Sequence, residues 1–586
     1  MRLLLGFGSC GLAAGALKVS ESMQKVLADT NLQLTLVGCN GMCFAEPLLQ
    51  VIDDTGKNYY YGNLNEDIAS NIAKALLAGQ LPQQNLLMQD ANDFLAPQTR
   101  VALAHCGLID PENIEEYLWV GGYTALKKAV LMNPEEIIAE VKLSGLRGRG
   151  GAGFPTWLKW QNTRLAPGKE KFLICNADEG DPGAFMDRSL LESDPHSVIE
   201  GMVIAARAIG ATQGIIYVRR EYPLAVKRIG KAILQAKNKG FLGDNICGSD
   251  FSFNLRLVQG AGAFICGEET ALIASLSGKR GMPTFKPPYP SERGYHDLPT
   301  NINNVETFAN IAWIINNGGL SFGDLSNDEN SGTKVFALTG KIKRGGLVEV
   351  PLGTTFSKVI YEIGGGLKNG KEAKAIQIGG PSGGCLPGKL LSTLRINYEE
   401  LASVGAIMGS GGLVVMDDST CMVDIARFFM AFNKDESCGR CTPCRIGMVR
   451  LEEILTKICQ GQGKEEYISF LETLGKHVKS TSLCGLGNSA PNPLLTTMRY
   501  FPEEYAAHIK EKRCPALKCQ ALLDYSINEE KCTGCGQCFK VCSAGAISGM
   551  RKQAYHIDSS LCIKCGMCQS SCLFDAVKIS SKGVAI

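Results

Sequence analysis

Cys532, Cys535, Cys538 and Cys542, then Cys562, Cys565, Cys568 and Cys572, form two consecutive runs of the pattern C-x2-C-x2-C-x3-C. A tight loop carrying a thiolate at every third residue can wrap one [4Fe–4S] cubane, while its fourth cysteine reaches the neighbouring cluster. The spacing therefore predicts crossed ligand sets. One is Cys532, Cys535, Cys538 and Cys572, and the other is Cys562, Cys565, Cys568 and Cys542. Structural zinc and disulfides compete, but zinc seldom uses doubled four-cysteine runs and disulfides need an oxidising compartment. The implied chemistry is single-electron transfer.

Other groups could also hold metals. Cys438, Cys441 and Cys444 repeat the C-x2-C-x2-C spacing, and Cys484 follows after a helical stretch. Four thiolates suit a further [4Fe–4S] cluster or a zinc ion. Cys459, His508, Cys514 and Cys519 could make a tetrahedral Cys3His zinc site, or be four unrelated residues. Near the start, Cys10 and Cys39-x3-Cys43 each follow an apolar run. Cys106, Cys175, Cys247, Cys266, Cys385 and Cys421 have no paired thiol nearby in sequence, and buried or inert cysteine is their default assignment.

The second kind of chemistry is nucleotide binding. Gly148, Gly150 and Gly153 satisfy G-x-G-x-x-G, but the preceding PEEIIAEVKLSGL has helical and not strand periodicity, so the dinucleotide fingerprint lacks its context. Glycine amides can still approach a phosphate, with Arg149 and Lys159 adding positive charge. Alone, the stretch suits a flexible structural loop better. Three further segments add carboxylates and amides beside glycines: NADEGDPG (176–183), GAGAFICGEET (260–270) and NNVET (303–307).

These residues need several scaffolds, since 586 residues are too many for one core. The first 85 or so alternate strand-like runs (Leu3 to Phe7, Leu32 to Val37, Leu48 to Ile52) with one helix, a βαβ-then-β pattern suited to a thioredoxin-like domain. A linker with Pro82 and Pro97 leads to the largest section. From Thr333 to Asn397 short strands surround an apolar helix (Phe356 to Ile363), as in a β-grasp module, and helical pattern then precedes the cysteine-rich tail. A net charge of +2 argues against a nucleic-acid surface. No apolar run is long enough to span a bilayer, and MRLLLGFGSC lacks the features of a signal peptide. A cytoplasmic protein of an anaerobe is expected, with its thiols kept reduced or metal-bound.

In order and wording, the four nucleotide-site motifs resemble the flavin-bearing, NADH-oxidising subunit of respiratory complex I and its soluble relatives, which include β subunits of NAD-linked hydrogenases and formate dehydrogenases. The resemblance runs from about residue 100 to 500. It implies an FMN site at Gly148, Gly150, Gly151, Lys159, Asn176, Asp178, Glu179, Phe264, Gly267, Glu268, Asn303 and Asn304. Phe264 stands where many relatives carry Tyr. The implied NADH platform is Phe154 and Tyr289 for the adenine, with Asp181, Glu269 and Lys286. Acidic groups around the ribose favour NADH over NADPH. ESCGRCTPCR and SLCGLG match the motifs with which that family holds a [4Fe–4S] cluster, through Cys438, Cys441, Cys444 and Cys484. Cys10, Cys39 and Cys43 resemble the [2Fe–2S] domain of the family's small subunit, where a further cysteine stands five positions before the first. Here that position is Leu5. Three thiolates leave one coordination site open, so either another group completes it or the domain is only a scaffold.

The expected fold is multidomain α/β: a thioredoxin-like domain (1–90), a Rossmann-like FMN- and NADH-binding domain (91–330), a β-grasp or ubiquitin-like module (331–425), a helical bundle with a [4Fe–4S] cluster (426–525) and a two-cluster ferredoxin-like domain (526–586). The full arrangement resembles the β subunit of electron-bifurcating hydrogenases and related NAD–ferredoxin oxidoreductases. It implies electron exchange between NAD(H), ferredoxin and partner subunits, one a [2Fe–2S] thioredoxin-like small subunit and one a catalytic iron–sulfur subunit of hydrogenase type. Hydride transfer to a flavin calls for no side-chain acid or nucleophile, so no catalytic residue is assigned. The alternatives are a diaphorase subunit of a formate dehydrogenase or of an NADP-linked transhydrogenase, and an electron relay without flavin activity.

Overall fold

The computed structural model describes residues 1–89, 93–326 and 328–581. It packs as two compact units, Met1–Gly383 with Gly388–Val415, and Gly384–Pro387 with the chain from Met416. The 90/91 boundary and residues 582–586 of the expected last domain lie outside the described residues.

The first unit begins with strands β1 (Arg2–Gly6), β2 (Leu34–Val37), β3 (Leu49–Ile52), β4 (Asn58–Tyr61) and β5 (Leu86–Gln89), in the sheet order β2-β1-β3-β4-β5. β1 pairs parallel with β2, and the other pairs are antiparallel. Two helices, Ser9–Ala14 and Ala16–Leu27, stand where the sequence suggested one, because Gly15 at φ 107° ends the first turn in a conformation that glycine adopts without strain. Leu3, Leu5, Val19, Met23 and Ile72 form the core beneath the sheet. Leu5 is therefore a packing residue.

Next comes a wholly parallel sheet of β6 (Phe172–Ala177), β7 (Gln213–Arg219), β8 (Asn254–Gly260) and β9 (Thr300–Asn304), ordered β8-β7-β6-β9. The apolar runs of β6 and β7 fit strands covered on both faces. Helix Pro195–Ile209, capped by Asp194 and closed by Gly210 at φ 78°, is buried along nearly its whole length. The order reverses at β6, which has β7 on one side and β9 on the other. In open α/β sheets that is where a crevice opens at the carboxyl ends of the strands. PEEIIAEVKL is a helix as expected (Pro134–Leu143), with an Asn133/Glu136 capping box, and the glycine loop joins it to helix Thr156–Leu165. No strand feeds that loop, so it is not a dinucleotide fingerprint.

The first unit ends with β10 (Thr333–Gly340), β11 (Gly346–Pro351), β12 (Ala375–Ile378) and β14 (Gly412–Met416), in the order β11-β10-β14-β12; β13 (Gly384–Pro387) counts with the second unit. The apolar helix expected from Phe356 is a short segment, Lys358–Ile363.

In the second unit, helices Met422–Asp435, Thr442–Cys459, Glu466–Thr481, Asn492–Tyr500 and Pro502–Ile509 form the bundle. The first of them crosses the expected 425/426 boundary. The unit starts instead at Met416, where β14 ends, since a helix cannot be divided between cores. In the tail β15 (Leu523–Ile527) pairs antiparallel with β18 (Val577–Ser581), and β16 (Ile547–Ser548) with β17 (His556–Ile557). Among the described residues no helix is long and apolar enough to cross a membrane.

Candidate functional site

The residues singled out for FMN gather at the carboxyl ends of β6 and β9 and in the loops facing them. Asn176 is the next-to-last residue of β6, and its Nδ2 donates to the Gly267 carbonyl at 2.9 Å while its Oδ1 accepts from the Asp178 amide at 3.1 Å. Trp160 Nε1 fixes the Asn303 side chain at 2.9 Å. Asn304 caps helix Val305–Ala309, and its Nδ2 donates to Asp187 at 2.5 Å. The glycine loop lies over this edge. A Cβ on Gly150 would come within 3.1 Å of Asn304 Cβ, and one on Gly151, at φ 120°, within 3.0 Å of Gly409 backbone. Side chains would fill this cradle, so its glycines fit a loop that presents amides to a phosphate. Gly267 sits 3.6 Å from the Asp178 carbonyl by the same measure, and Phe264 lies against Gly180.

Arg149 departs from expectation. Its side chain is fully buried and donates to the carbonyls of Arg147, Ser331 and Thr333, each at 2.9 Å. The guanidinium fastens the loop from behind instead of facing a ligand, because three backbone acceptors converge on its five donors.

Carboxylates dominate the interior. Burial pushes Glu179 up, although the Asp187 and Arg188 amides stabilise its charge. Asp187 is raised well above the usual range, first by burial and then by Glu179 and Glu306. Glu306 is paired with Lys334, both fully buried. Asp181 accepts from Ser410 Oγ at 2.6 Å, and burial lifts it to about 6. Arg219 donates to the Glu179 carbonyl at 3.0 Å, a contact the sequence offered no reason to expect.

Beside these carboxylates runs a chain of alternating charges, Lys159–Glu269–Lys286–Glu268. Lys159 Nζ meets Glu269 and also the Ile302 carbonyl at 2.5 Å, and Lys286 Nζ lies 3.3 Å from Glu269 and 3.0 Å from Glu268. Burial alone would raise Glu269, but the two lysines outweigh it and hold the carboxyl below its ordinary value. The structure thus ties Lys159, expected on FMN, to Glu269, expected on NADH. Glu268 also caps helix Glu269–Leu276 through the Thr270 and Ala271 amides at 2.9 and 3.0 Å. Phe154 and Tyr289 are 49% and 54% exposed, two open aromatic faces suited to stacking a base.

The cysteine groups converge in three further places. In the bundle, burial pushes the Cys444 thiol up to about 11, and the neighbouring sulfurs of Cys441, Cys484 and Cys438 add to it. Cys441 and Cys484 each stand at the start of a helix. In the tail, Cys532, Cys535, Cys538 and Cys572 line one cavity, while Cys542, Cys562, Cys565 and Cys568 line a second. These are the crossed sets. At the start of the chain, Cys39 and Cys43 sulfurs are 3.6 Å apart. Cys10 is lowered to about 7, chiefly by its contact with Cys43, with Arg188 helping.

The Cys3His group is also present, but with a different member. The ligand atoms of Cys421, His508, Cys514 and Cys519, all buried, lie within 4.8 Å of one another. Cys459, which spacing put in this set, lies beside Cys519 but is not one of the four. Cys421, assigned as inert, takes its place because it starts helix Met422–Asp435, with its sulfur accepting from the Asp424 amide at 3.5 Å. His508 Nδ1 is 2.7 Å from the Glu504 carbonyl, which can only accept, so Nδ1 carries the proton. Nε2 then turns its lone pair toward Cys421 and Cys519, each at 3.3 Å. Four groups with one imidazole nitrogen free to ligate fit tetrahedral zinc.

Comparison with known proteins decides the family. The chain is 43% identical to one of the NADH-quinone oxidoreductase F subunits of Rhizobium meliloti, over 71% of its own length and 99% of that protein's. It belongs to the family of NADH-quinone oxidoreductase F subunits. Family models match in the same sense: the Nuo51 FMN-binding domain over residues 141–313, the SLBB domain over 335–386, the NADH-ubiquinone oxidoreductase-F iron-sulfur binding region over 424–508 and a 4Fe-4S binding domain over 525–548. Hydrogenase proteins match as well. HndC of the NADP-reducing hydrogenase of Solidesulfovibrio fructosivorans is 55% identical over 82% of this chain and 98% of its own. Among solved structures, an NAD+-reducing [NiFe]-hydrogenase in the H2-reduced state aligns with a TM-score of 0.62 at 29% identity, over 87% of this chain and 84% of that one. The protein is thus an NADH dehydrogenase-type oxidoreductase module, and carries the family's FMN-binding domain and 4Fe-4S-binding regions.

Proposed function

We propose that this chain is the NADH-oxidising or NAD-reducing subunit of a soluble hydrogenase that exchanges electrons between NAD(H), ferredoxin and partner subunits, by splitting electron pairs at one flavin. The observation carrying this reading is the two-cavity cysteine tail, which follows the flavin region and the bundle in one chain. Its parts are a thioredoxin-like start (1–90), the FMN and NADH region (91–330), a β-grasp module (331–415), the bundle (416–525) and the ferredoxin-like tail (526–586).

Bound FMN supplies a centre that takes an electron pair as hydride and returns electrons one at a time. The protein's residues hold and orient. Amides of Gly148, Gly150 and Gly151 receive the flavin phosphate. Asn176, Asp178, Glu179, Gly267, Asn303 and Asn304 receive the ribityl hydroxyls and ring edge, with Phe264 beside them. Phe154 and Tyr289 stack the adenine of the dinucleotide, while Asp181, Glu269 and Lys286 take its ribose and nicotinamide. Cys438, Cys441, Cys444 and Cys484, and each of the two crossed tail sets, would hold a cubane, which would supply one-electron transfer there. Cys421, His508, Cys514 and Cys519 hold zinc as a structural staple.

NADH oxidation by the purified native complex tests the coupling, with ferredoxin and hydrogen evolution followed together. Evolution that requires NADH and reduced ferredoxin jointly supports the reading. Evolution from NADH alone contradicts it, and formate as terminal partner would favour the dehydrogenase alternative.

A further inference from the structure

The three N-terminal cysteines stand beside a fourth possible ligand of a different kind. Cys39 and Cys43 sulfurs are 3.6 Å apart, close to the roughly 3.8 Å that two thiolates span on one tetrahedral metal at about 2.3 Å each. That pair can serve one iron of a [2Fe–2S] cluster, and a second iron then needs Cys10 and one more group. Leu5 lies in the core and offers no donor atom. Glu46 does. It follows the helical turn Cys43–Ala45 and is only 7% exposed. One carboxylate oxygen, Oε2, accepts from the Leu48 amide at 2.9 Å. The other, Oε1, is buried and receives no N–H or O–H. Such an atom is costly unless something satisfies it.

The surroundings explain how a carboxylate reaches this place. A Cβ on Gly6 would come within 2.7 Å of Glu46 Oε1, and one on Gly11 within 3.0 Å of Oε2. The carboxylate is thus pressed between the end of β1 and the turn that carries Cys10. Cys39 hydrogen-bonds the carboxyl and Cys10 acts on its charge, so Glu46 stands against both thiols. Arg188, whose Nη2 lies 3.8 Å from Cys10 sulfur, supplies a compensating cation. Ferric iron is a hard centre and accepts carboxylate oxygen readily.

We propose that Cys10, Cys39, Cys43 and the Glu46 carboxylate are the four protein ligands of a [2Fe–2S] cluster, with Glu46 taking the place left without a thiolate. This rests on assigning the three thiols to an iron site. One other thiol competes, because Cys106 is fully buried and interacts with Cys39.

The test is electron paramagnetic resonance and iron counting on the full-length chain, reconstituted anaerobically and reduced with dithionite, for wild type, Glu46→Gln, Glu46→Cys and Cys106→Ser. Wild type should show a two-iron signal beside those of the cubanes. Glu46→Gln should lose that signal and about two irons per chain. Glu46→Cys should keep the irons but shift the g-values and lower the midpoint potential, since a thiolate donates more charge than a carboxylate. Cys106→Ser should match wild type. If Glu46→Gln fails to fold, the Glu46→Cys spectrum still decides. A two-iron signal unchanged by either Glu46 substitution, or abolished by Cys106→Ser, overturns the role of Glu46 while leaving the cluster. No two-iron signal in wild type, or zinc bound there instead, overturns the cluster assignment itself.

Discussion

Replacing Cys421 should release the bundle's metal, and replacing Cys459 should not. Structural zinc in small sites contributes about 10–16 kcal/mol of apparent binding at neutral pH, so one ligand of four carries roughly 3 kcal/mol, or about a hundredfold in affinity. Cys421 also accepts from the Asp424 amide at the start of helix Met422–Asp435, and losing such a cap costs about 1 kcal/mol without any metal. The two effects separate by substitution. Cys421→Ala should lose both, whereas Cys421→Ser keeps an oxygen able to cap and loses only the preferred metal donor. Cys459→Ala should hold zinc within a few-fold of wild type. The assay is zinc content by mass spectrometry, chelator competition and thermal unfolding with and without chelator. Zinc retained in Cys421→Ala but lost in Cys459→Ala would refute the geometric argument, and wild-type protein without stoichiometric zinc would remove the site.

Three other outcomes follow from the flavin region. Lys334→Met should destabilise the protein by about 3–5 kcal/mol in denaturant unfolding, since Glu306 would be left charged and buried; pairing it with Glu306→Gln should recover part of the loss. Asp181 has a folded value near 6 against 3.8 ordinarily, so the stability it contributes is fully present below about pH 4 and lost as pH rises through 6. Asp181→Asn should therefore unfold later than wild type at pH 7 by up to about 3 kcal/mol, with the gap narrowing toward pH 5. For the dinucleotide, Glu269 and Asp181 would oppose a 2′-phosphate, and kcat/KM for NADH should exceed that for NADPH at least about tenfold, or 1.4 kcal/mol. Equal values would sink that preference, which the NADP-reducing name of the HndC relative makes worth measuring.

What the sequence revealed depended on how far apart the cooperating residues stand. The crossed tail sets were legible because three of each four ligands share one short loop and the fourth is fixed by the repeat. Helix Pro134–Leu143 was legible from its period and cap, and this kept the glycine loop from being taken for a dinucleotide fingerprint. The crevice at β6 and β9 was reached only through motifs, since strand order is not written in spacing. Cys421 was missed because 87 positions separate it from His508, and nothing in its neighbourhood marks a metal. Arg149 looked like a phosphate ligand beside glycines, but its direction is set by three carbonyls, two of them over 180 positions away. Gly15 divided a helix that periodicity ran together.

Anaerobic titration of the full-length, FMN-loaded protein with NADH tests the central claim most directly. The account predicts that flavin absorbance bleaches with the first equivalents of NADH and that iron–sulfur absorbance then falls as electrons pass on singly. A chain that holds no FMN, or whose bound flavin stays oxidised under excess NADH, would contradict it.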